Sequence, residues 1–370
     1  MNRKLLHITF ANTLAYTGGG QGTEHNKKAI RACLGESAMD SYTIMPYKGP
    51  HSIRFYLRRI SEIIKRYMGG LTEQHLRNII IKLNTGEYSD IFIDSSLLGH
   101  IAKTVREKFP HLRIYTFFQN MEYDFMSSSV WDGKDYLHAF MIPMAKYNER
   151  CACKYSDKII VFNSRDASRV KEVYHTDADM QIPIWLTDDY KDNPPSMPTE
   201  QGVKEALFVG SYFFGNTQGL KWFCKEVLPY VKIRLTIVGS GMDAFANDIE
   251  SSDKISIHSN VPDLKPYYEQ ADFVILPVTT GGGMKVKTAE TLKYGKYIIG
   301  TKESVEGYDV NSDIATVCNT APEFIEAISN YHRPFKFNPP SRLLFKQKYS
   351  YEAVISKYEQ VLNTPIPKKL

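Results

Sequence analysis

The feature that most constrains this chain is a rhythm. Short apolar, strand-like runs alternate with helical patterns from one end to the other, the signature of parallel α/β architecture. In the first half the runs are Leu5 to Phe10, Ser41 to Met45, Ile91 to Asp94, Arg113 to Phe118 and Lys158 to Phe162. The second half repeats the pattern at Glu205 to Gly210, Arg234 to Gly239, Ile255 to His258, Phe273 to Pro277, Tyr297 to Thr301 and Ala315 to Cys318. A length of 370 residues is too much for one compact core and comfortable as two. The expected fold is therefore α/β, two Rossmann-like doubly wound domains facing a cleft. The first spans residues 1–190, a polar, proline-bearing linker spans 191–203, and the second spans 204–340. A helical pattern over 341–370 is placed to cross back to the first domain.

With 43% hydrophobic and 24% charged residues, the chain reads as an ordered globular protein. No apolar run approaches the roughly 18–20 residues of a membrane helix. The segment from Leu5 to Phe10 turns polar too soon for a secretory signal, so a cytoplasmic location is expected. The cysteines, Cys33, Cys151, Cys153, Cys224 and Cys318, are odd in number and scattered, which fits reduced thiols. Cys151 and Cys153 lack partners at zinc spacing, and Asp177 and Asp179 sit in a polar segment that reads as a turn.

Charge is unevenly spread. Residues 1–113 hold 17 Lys and Arg against 9 Asp and Glu. The excess is densest at Arg54 to Met68, where Phe55, Ile60, Ile63, Ile64 and Tyr67 recur near helical period. Two readings stay open for this basic amphipathic helix: a solvated face, or docking on an anionic membrane surface at the inner side of the cytoplasmic membrane. No nucleic-acid signature accompanies it, so nucleic acid is not an expected partner.

The strongest chemical cluster runs from Thr279 to Glu290, directly after a strand and opening a helix. Its glycines, Gly281, Gly282 and Gly283, let backbone N–H groups close on an anion. The helix N-terminus adds positive potential, and Lys285 and Lys287 add full charges. This is a diphosphate cradle without the order of a P-loop. Glu290 shares a helical face with Lys287 and is placed to accept hydrogen bonds from sugar hydroxyls. A second glycine run, Gly18, Gly19, Gly20 and Gly22, precedes a helix expected near Glu24. Its third glycine falls wrongly for dinucleotide binding, and the run is read as a place where substrate approaches the backbone. At the end of the fourth strand, Gln119, Asn120, Glu122 and Asp124 form a burst of polar groups, with Glu122 or Asp124 as base or orienting group. His25 and His100 are read as structural.

At these residues the chain resembles bacterial glycosyltransferases of the GT-B fold, in the GT4-like retaining group that builds surface polysaccharides such as lipopolysaccharide or capsule. The likeness rests on Phe208-Val209-Gly210-Ser211 leading to Asn216, on Gly219-Leu220-Lys221-Trp222-Phe223, and on Leu235 to Gly241. Val261-Pro262-Asp263-Leu264 and the stretch Gly282-Gly283-Met284-Lys285-Val286-Lys287-Thr288-Ala289-Glu290 extend it. The resemblance implies donor contacts at Gly210, Ser211, Asn216, Gly239, Gly241, Val261, Gly282, Gly283, Met284, Lys285, Lys287, Thr288 and Glu290. It implies a loop near the transfer centre at Gln119 and Asn120, to which the glycine run adds Gly19 and Gly20, with Glu122, Lys287 and Glu290 as catalytic candidates. Gly282 stands where the group often has a first glutamate, and Gln119 where relatives often carry histidine. The expected reaction moves a sugar, with retention, from a nucleotide-diphosphate donor, UDP- or GDP-linked, to a hydroxyl of a glycan or lipid-linked acceptor. The lysines do the work of a metal, so no cofactor is expected. Two alternatives are a nucleotide-sugar 2-epimerase on the same fold and a non-catalytic membrane-surface adaptor that has kept the fold.

Overall fold

The computed structural model describes residues 3–11, 18–45, 60–131, 136–190 and 202–364. The chain divides into two compact units: residues 1–183 with 355–370, and residues 184–354.

The first unit is a six-stranded parallel sheet in the order β2-β1-β3-β4-β5-β6. Its strands are β1 (Leu5–Phe10), β2 (Met39–Ile44), β3 (Asp90–Ile93), β4 (Arg113–Phe118), β5 (Lys158–Val161) and β6 (Met180–Gln181). Between them run α1 (Gly18–Leu34), α2 (Glu73–Thr85), α3 (Gly99–Lys108), α4 (Glu122–Trp131), α5 (Met141–Tyr155) and α6 (Ser164–Tyr174). Every residue of β3 is buried, as expected for a strand covered on both faces. Leu6, Ile8, Ile91, Ile93 and Ile114 pack with Ile79 and Leu83 of α2 and Ile101 and Val105 of α3 into one core. Helix α3 lies close to α5, for a Cβ on Gly99 would fall 1.8 Å from the carbonyl oxygen of Asn148.

The second unit carries six parallel strands in the order β12-β11-β10-β7-β8-β9. They are β7 (Lys204–Val209), β8 (Ile233–Gly239), β9 (Ile255–Ser259), β10 (Phe273–Leu276), β11 (Tyr297–Gly300) and β12 (Ala315–Val317). Helices α7 (Phe214–Glu226), α8 (Lys265–Gln270), α9 (Val286–Lys293), α10 (Ala321–Ser329) and α11 (Pro339–Leu344) connect or follow them. Strands β7 and β10 are neighbours although not consecutive, so the chain reverses its direction of winding between them. Such a switch point is where open α/β sheets take their ligands, at the carboxyl ends of the strands.

Three expectations need correcting. Residues 184–190 belong to the second unit, because the Leu186 N–H donates to Tyr349 O at 2.9 Å, Trp185 packs on Tyr351 with ring centroids 5.2 Å apart, and Arg342 binds Asp188 at 2.8 Å. The helix anticipated over 341–370 is broken: α11 passes through a π-turn at Phe345–Tyr349 into α12 (Tyr351–Asn363). Only the part of α12 from residue 355 onward falls in the first unit, where the Tyr358 hydroxyl donates to Asn26 Oδ1. Finally, α1 begins at Gly18, not near Glu24, so Gly19 and Gly20 lie in its first turn; a helix N-terminus still has free N–H groups and tolerates glycine there. The expected linker over 191–203 lies outside the described residues up to 201.

Candidate functional site

The second unit brings most of its sequence-designated residues together at the switch point. Gly210 and Ser211 follow β7, and the glycine run follows β10. Gly239 ends β8 against Gly210; a Cβ there would lie 1.8 Å from the Gly210 carbonyl oxygen, so this approach requires glycine. Next to it, the Asn260 N–H donates to Gly239 O at 3.2 Å and the Gly241 N–H to Asn260 Oδ1 at 3.3 Å, placing Val261 beside both glycines. Gly283 has φ 60° and takes the left-handed turn that delivers the chain into α9.

The two lysines of the run are held differently. Lys285 Nζ donates to Glu303 Oε1 at 2.7 Å and to the Gly283 carbonyl at 2.9 Å, folding the loop back on itself. Lys287, in the first turn of α9, donates to Asn216 Oδ1 and stands 4.9 Å above the ring of Phe208. Burial, with the neighbouring Lys285 charge, lowers the Lys287 ammonium to a pKa of about 7. Burial likewise raises Glu290 to about 7, against the opposing pull of Lys293 and Lys287. Asn216, from α7, donates through Nδ2 to Ser211 O at 2.8 Å. Thr288 spends its hydroxyl on Ser304 O at 2.6 Å, and Met284 is buried, so both side chains serve the fold of the loop. Sequence reasoning missed Glu303 and Asn260, which lie in segments with no pattern of their own.

The first unit gathers a second polar group at the carboxyl ends of β3 and β4. Asp94, buried just after β3, accepts Asn26 Nδ2 at 2.6 Å and Gln119 Nε2 at 2.8 Å, and lies 3.3 Å from His7 Nε2. Gln119 also donates to Thr23 Oγ1 at 3.2 Å, while its Oε1 faces Gly22, 3.5 Å from where a Cβ would sit. Gln119 is thereby brought to the first turns of α1, where Gly19 and Gly20 are; Asn120 follows it, half-buried, in the turn before α4.

Glu122 does not stand in a loop: it opens α4, and its backbone N–H donates to Glu149 Oε1 at 2.7 Å. Glu149 also accepts the Tyr174 hydroxyl at 2.6 Å, the Ser96 hydroxyl at 3.2 Å and the Tyr123 N–H at 3.3 Å. Burial and the facing Glu149 raise Glu122 to about 8, and burial raises Glu149 to about 7. Asp124 is held by a bidentate pair with Arg169 at 2.7 and 2.9 Å. Asp94, His7, Asn26 and Glu149 were not singled out in the sequence, since each is one polar residue in an otherwise ordinary strand or helix. His100 packs against Tyr67 with ring centroids 4.8 Å apart, and Asp179 caps Ile159 N and pairs Lys158, as structural residues do.

Residues 203–333, which contain the whole cluster of the second unit, match the family model described as glycosyl transferases group 1. This segment is a glycosyl transferases group 1 domain. A curated protein of Klebsiella pneumoniae, described as an uncharacterized 44.6 kDa protein in the cps region, is 26% identical to the chain over 144 residues. That match spans 34% of this chain and 37% of the relative, so the chain aligns with about a third of that protein's length. Among solved structures, the lipopolysaccharide outer core galactosyltransferase WaaB superposes with a TM-score of 0.67 at 12% identity, covering 97% of this chain and 99% of that one. Sucrose-phosphate synthase from Thermosynechococcus elongatus gives 0.70 at 12% identity, covering 97% and 98%. Anabaena HepE, solved in complex with UDP and glucose, gives 0.61 at 10% identity, covering 97% and 99%. The fold is thus GT-B, two Rossmann-like units of which the group 1 domain is the second. Its glycine run, two lysines and Glu290 all fall inside the matched segment.

Proposed function

We propose that the chain is a glycosyltransferase that moves a sugar from a nucleotide-diphosphate sugar to a hydroxyl of a glycan or lipid-linked oligosaccharide in surface polysaccharide synthesis. The observation that carries this is the pair Lys285 and Lys287 at the start of α9, at the switch point of a group 1 domain, with the glycine run between strand and helix. As the bond between sugar and diphosphate loosens, negative charge grows on the leaving phosphate. Preplaced cations, N–H groups and a helix terminus stabilise that charge more than they stabilise the ground state. Lys287, with the loop N–H groups and the helix terminus, supplies the countercharge, so transfer is expected to run without a metal and to survive EDTA. Glu290, one turn along α9, is the acceptor for donor hydroxyls. The uridine diphosphate and glucose named for the HepE complex favour UDP as the nucleotide here, with GDP as the competitor.

The acceptor side belongs to the first unit. Residues 60–64 are helical there, with Ile60 and Ile64 exposed, and Phe140 is exposed as well. Apolar side chains in the stretch that carries Arg58, Arg59, Lys65 and Arg66 suit an anionic bilayer surface, on which a lipid-linked acceptor would be met. The rest of the Arg54–Met68 stretch, up to residue 59, lies outside the described residues. Among those described, no helix is long and apolar enough to cross a membrane.

A thermal-shift screen against UDP, GDP, CDP, ADP and dTDP tests the donor half of the proposal, because a ligand that binds only the folded state raises its melting temperature. A shift with one nucleotide, followed by transfer of its labelled sugar to a membrane extract, supports it. Conversion of the donor alone, without acceptor, would point instead to an epimerase. A folded protein that answers to none of the five refutes the donor site.

A further inference from the structure

We infer that Asn216 is a positioning residue that holds the Lys287 ammonium with a neutral partner, leaving its positive charge for the diphosphate of the ligand. This deepens the nucleotide-sugar proposal and rests on it.

The geometry is one-directional. Asn216 Nδ2 is committed to the Ser211 carbonyl at 2.8 Å, and that bond fixes which end of the amide is which. Its Oδ1 therefore faces Lys287 and accepts from the ammonium. Gly210 makes room for the amide: a Cβ there would stand 3.0 Å from Asn216 Nδ2. From below, Phe208 of β7 offers Lys287 only an aromatic face at 4.9 Å.

Lys285 is the internal contrast. Two residues away in the same loop, it is paired with the carboxylate of Glu303 and with loop carbonyls. One lysine is neutralised and shapes the loop; the other receives an amide and a ring, neither of which carries net charge. The charged groups acting on Lys287 are Lys285, which repels it, and Glu290 on its own helix. Glu303, from the turn after β11, is engaged with Lys285. A partly buried ammonium with no carboxylate in hydrogen-bond contact costs stability. Its depressed pKa agrees with that, and the arrangement makes sense when a ligand brings the missing negative charge.

The test uses the full chain with UDP-glucose and GDP-mannose, whose diphosphate diesters do not titrate near neutrality, and calorimetric titration at pH 6, 7 and 8. For the wild type, affinity should fall about tenfold from pH 6 to pH 8 as free Lys287 loses its proton. In Asn216→Asp the new carboxylate competes with the diphosphate: affinity at pH 6 should drop at least about tenfold, and the fall with pH should move above pH 8. Asn216→Ala should weaken binding while keeping the pH dependence below 8. If Asn216→Asp binds as tightly as wild type with the same pH profile, the inference is wrong; Asn216→Ser serves should the aspartate variant fail to fold, with the alanine pattern expected and unchanged affinity overturning it. Should wild type and Lys287→Ala both give no heat with either donor, the nucleotide-sugar proposal fails and takes this inference with it. If Lys287→Ala alone loses binding, that proposal stands and the Asn216 variants decide.

Discussion

The two polar clusters sit at comparable places, beyond the carboxyl ends of parallel strands, and they are built on opposite plans. In the second unit the central groups are cations, and the one in the helix turn is held by an amide and an aromatic ring rather than by a carboxylate. In the first unit the central groups are carboxylates: Glu149 accepts from hydroxyls and backbone N–H groups on both oxygens, and Asp94 accepts from two amides on Oδ1. A cation left short of negative charge is prepared for an anion. A carboxylate ringed by amide, hydroxyl and backbone N–H groups is prepared to hold its neighbours still. The difference is one of design: a cation held by neutral partners in one unit, fixed geometry in the other.

The contrast can be broken most severely at Lys287. Replacing it by Ala should lower turnover by about a hundredfold, the usual cost of removing one donor aimed at developing charge, and weaken nucleotide binding alongside. Steady-state transfer assays and calorimetry together check it. Next in size is Glu149→Ala, which strips α4 of the acceptor for its first N–H groups and Tyr174 of its partner. A loss of about 2–3 kcal/mol is expected by denaturant unfolding. If the units are as specialised as argued, a folded Glu149→Ala protein keeps its thermal response to nucleotide.

The carboxyl pair also sets a pH dependence. Glu122 and Glu149 are raised to about 8 and about 7 in the folded chain, so the native state binds more protons than the unfolded one between the ordinary carboxyl range and those values. Stability from this pair is present in mild acid and declines as pH rises towards 8. Unfolding midpoints measured from pH 5 to pH 8 should fall, and Glu122→Gln should flatten the slope. The smallest effect is a gain. The Lys287 charge is a cost to the folded state that grows as pH falls from the ordinary lysine range to about 7. Lys287→Met, by removing it, should raise the melting temperature at pH 7 by about 2–4 °C per kcal/mol relieved, while abolishing the response to nucleotide.

How much of this was legible in the sequence follows the same division. The strand rhythm placed nearly every strand to within a residue or two, because strands buried on both faces are written as apolar runs; Phe273–Leu276 is an instance. The two-residue β6 escaped notice, being too short to form a pattern. The cation cluster was legible because its glycines, lysines and glutamate are contiguous on one turn and one helix. The carboxylate cluster was not. His7, Asn26, Asp94 and Gln119 come from four distant segments, and only the order of strands in the sheet makes them neighbours. The α1 boundary went wrong for a local reason: glycines were taken as loop, yet at a helix N-terminus the missing side chain costs little.

The division of the chain places both ends of the described sequence in one unit, with residues 184–354 between them. In chain order the second unit is therefore finished before α12 returns to the first. The bond from Tyr358 to Asn26, closing a span of 332 residues, is among the last long-range contacts that can form. Asn26 is also the residue that steadies Asp94, so the geometry around Gln119 depends on the return of α12. The unit read as the donor side is thus written in one uninterrupted stretch, whereas the other is finished only by a return of the chain.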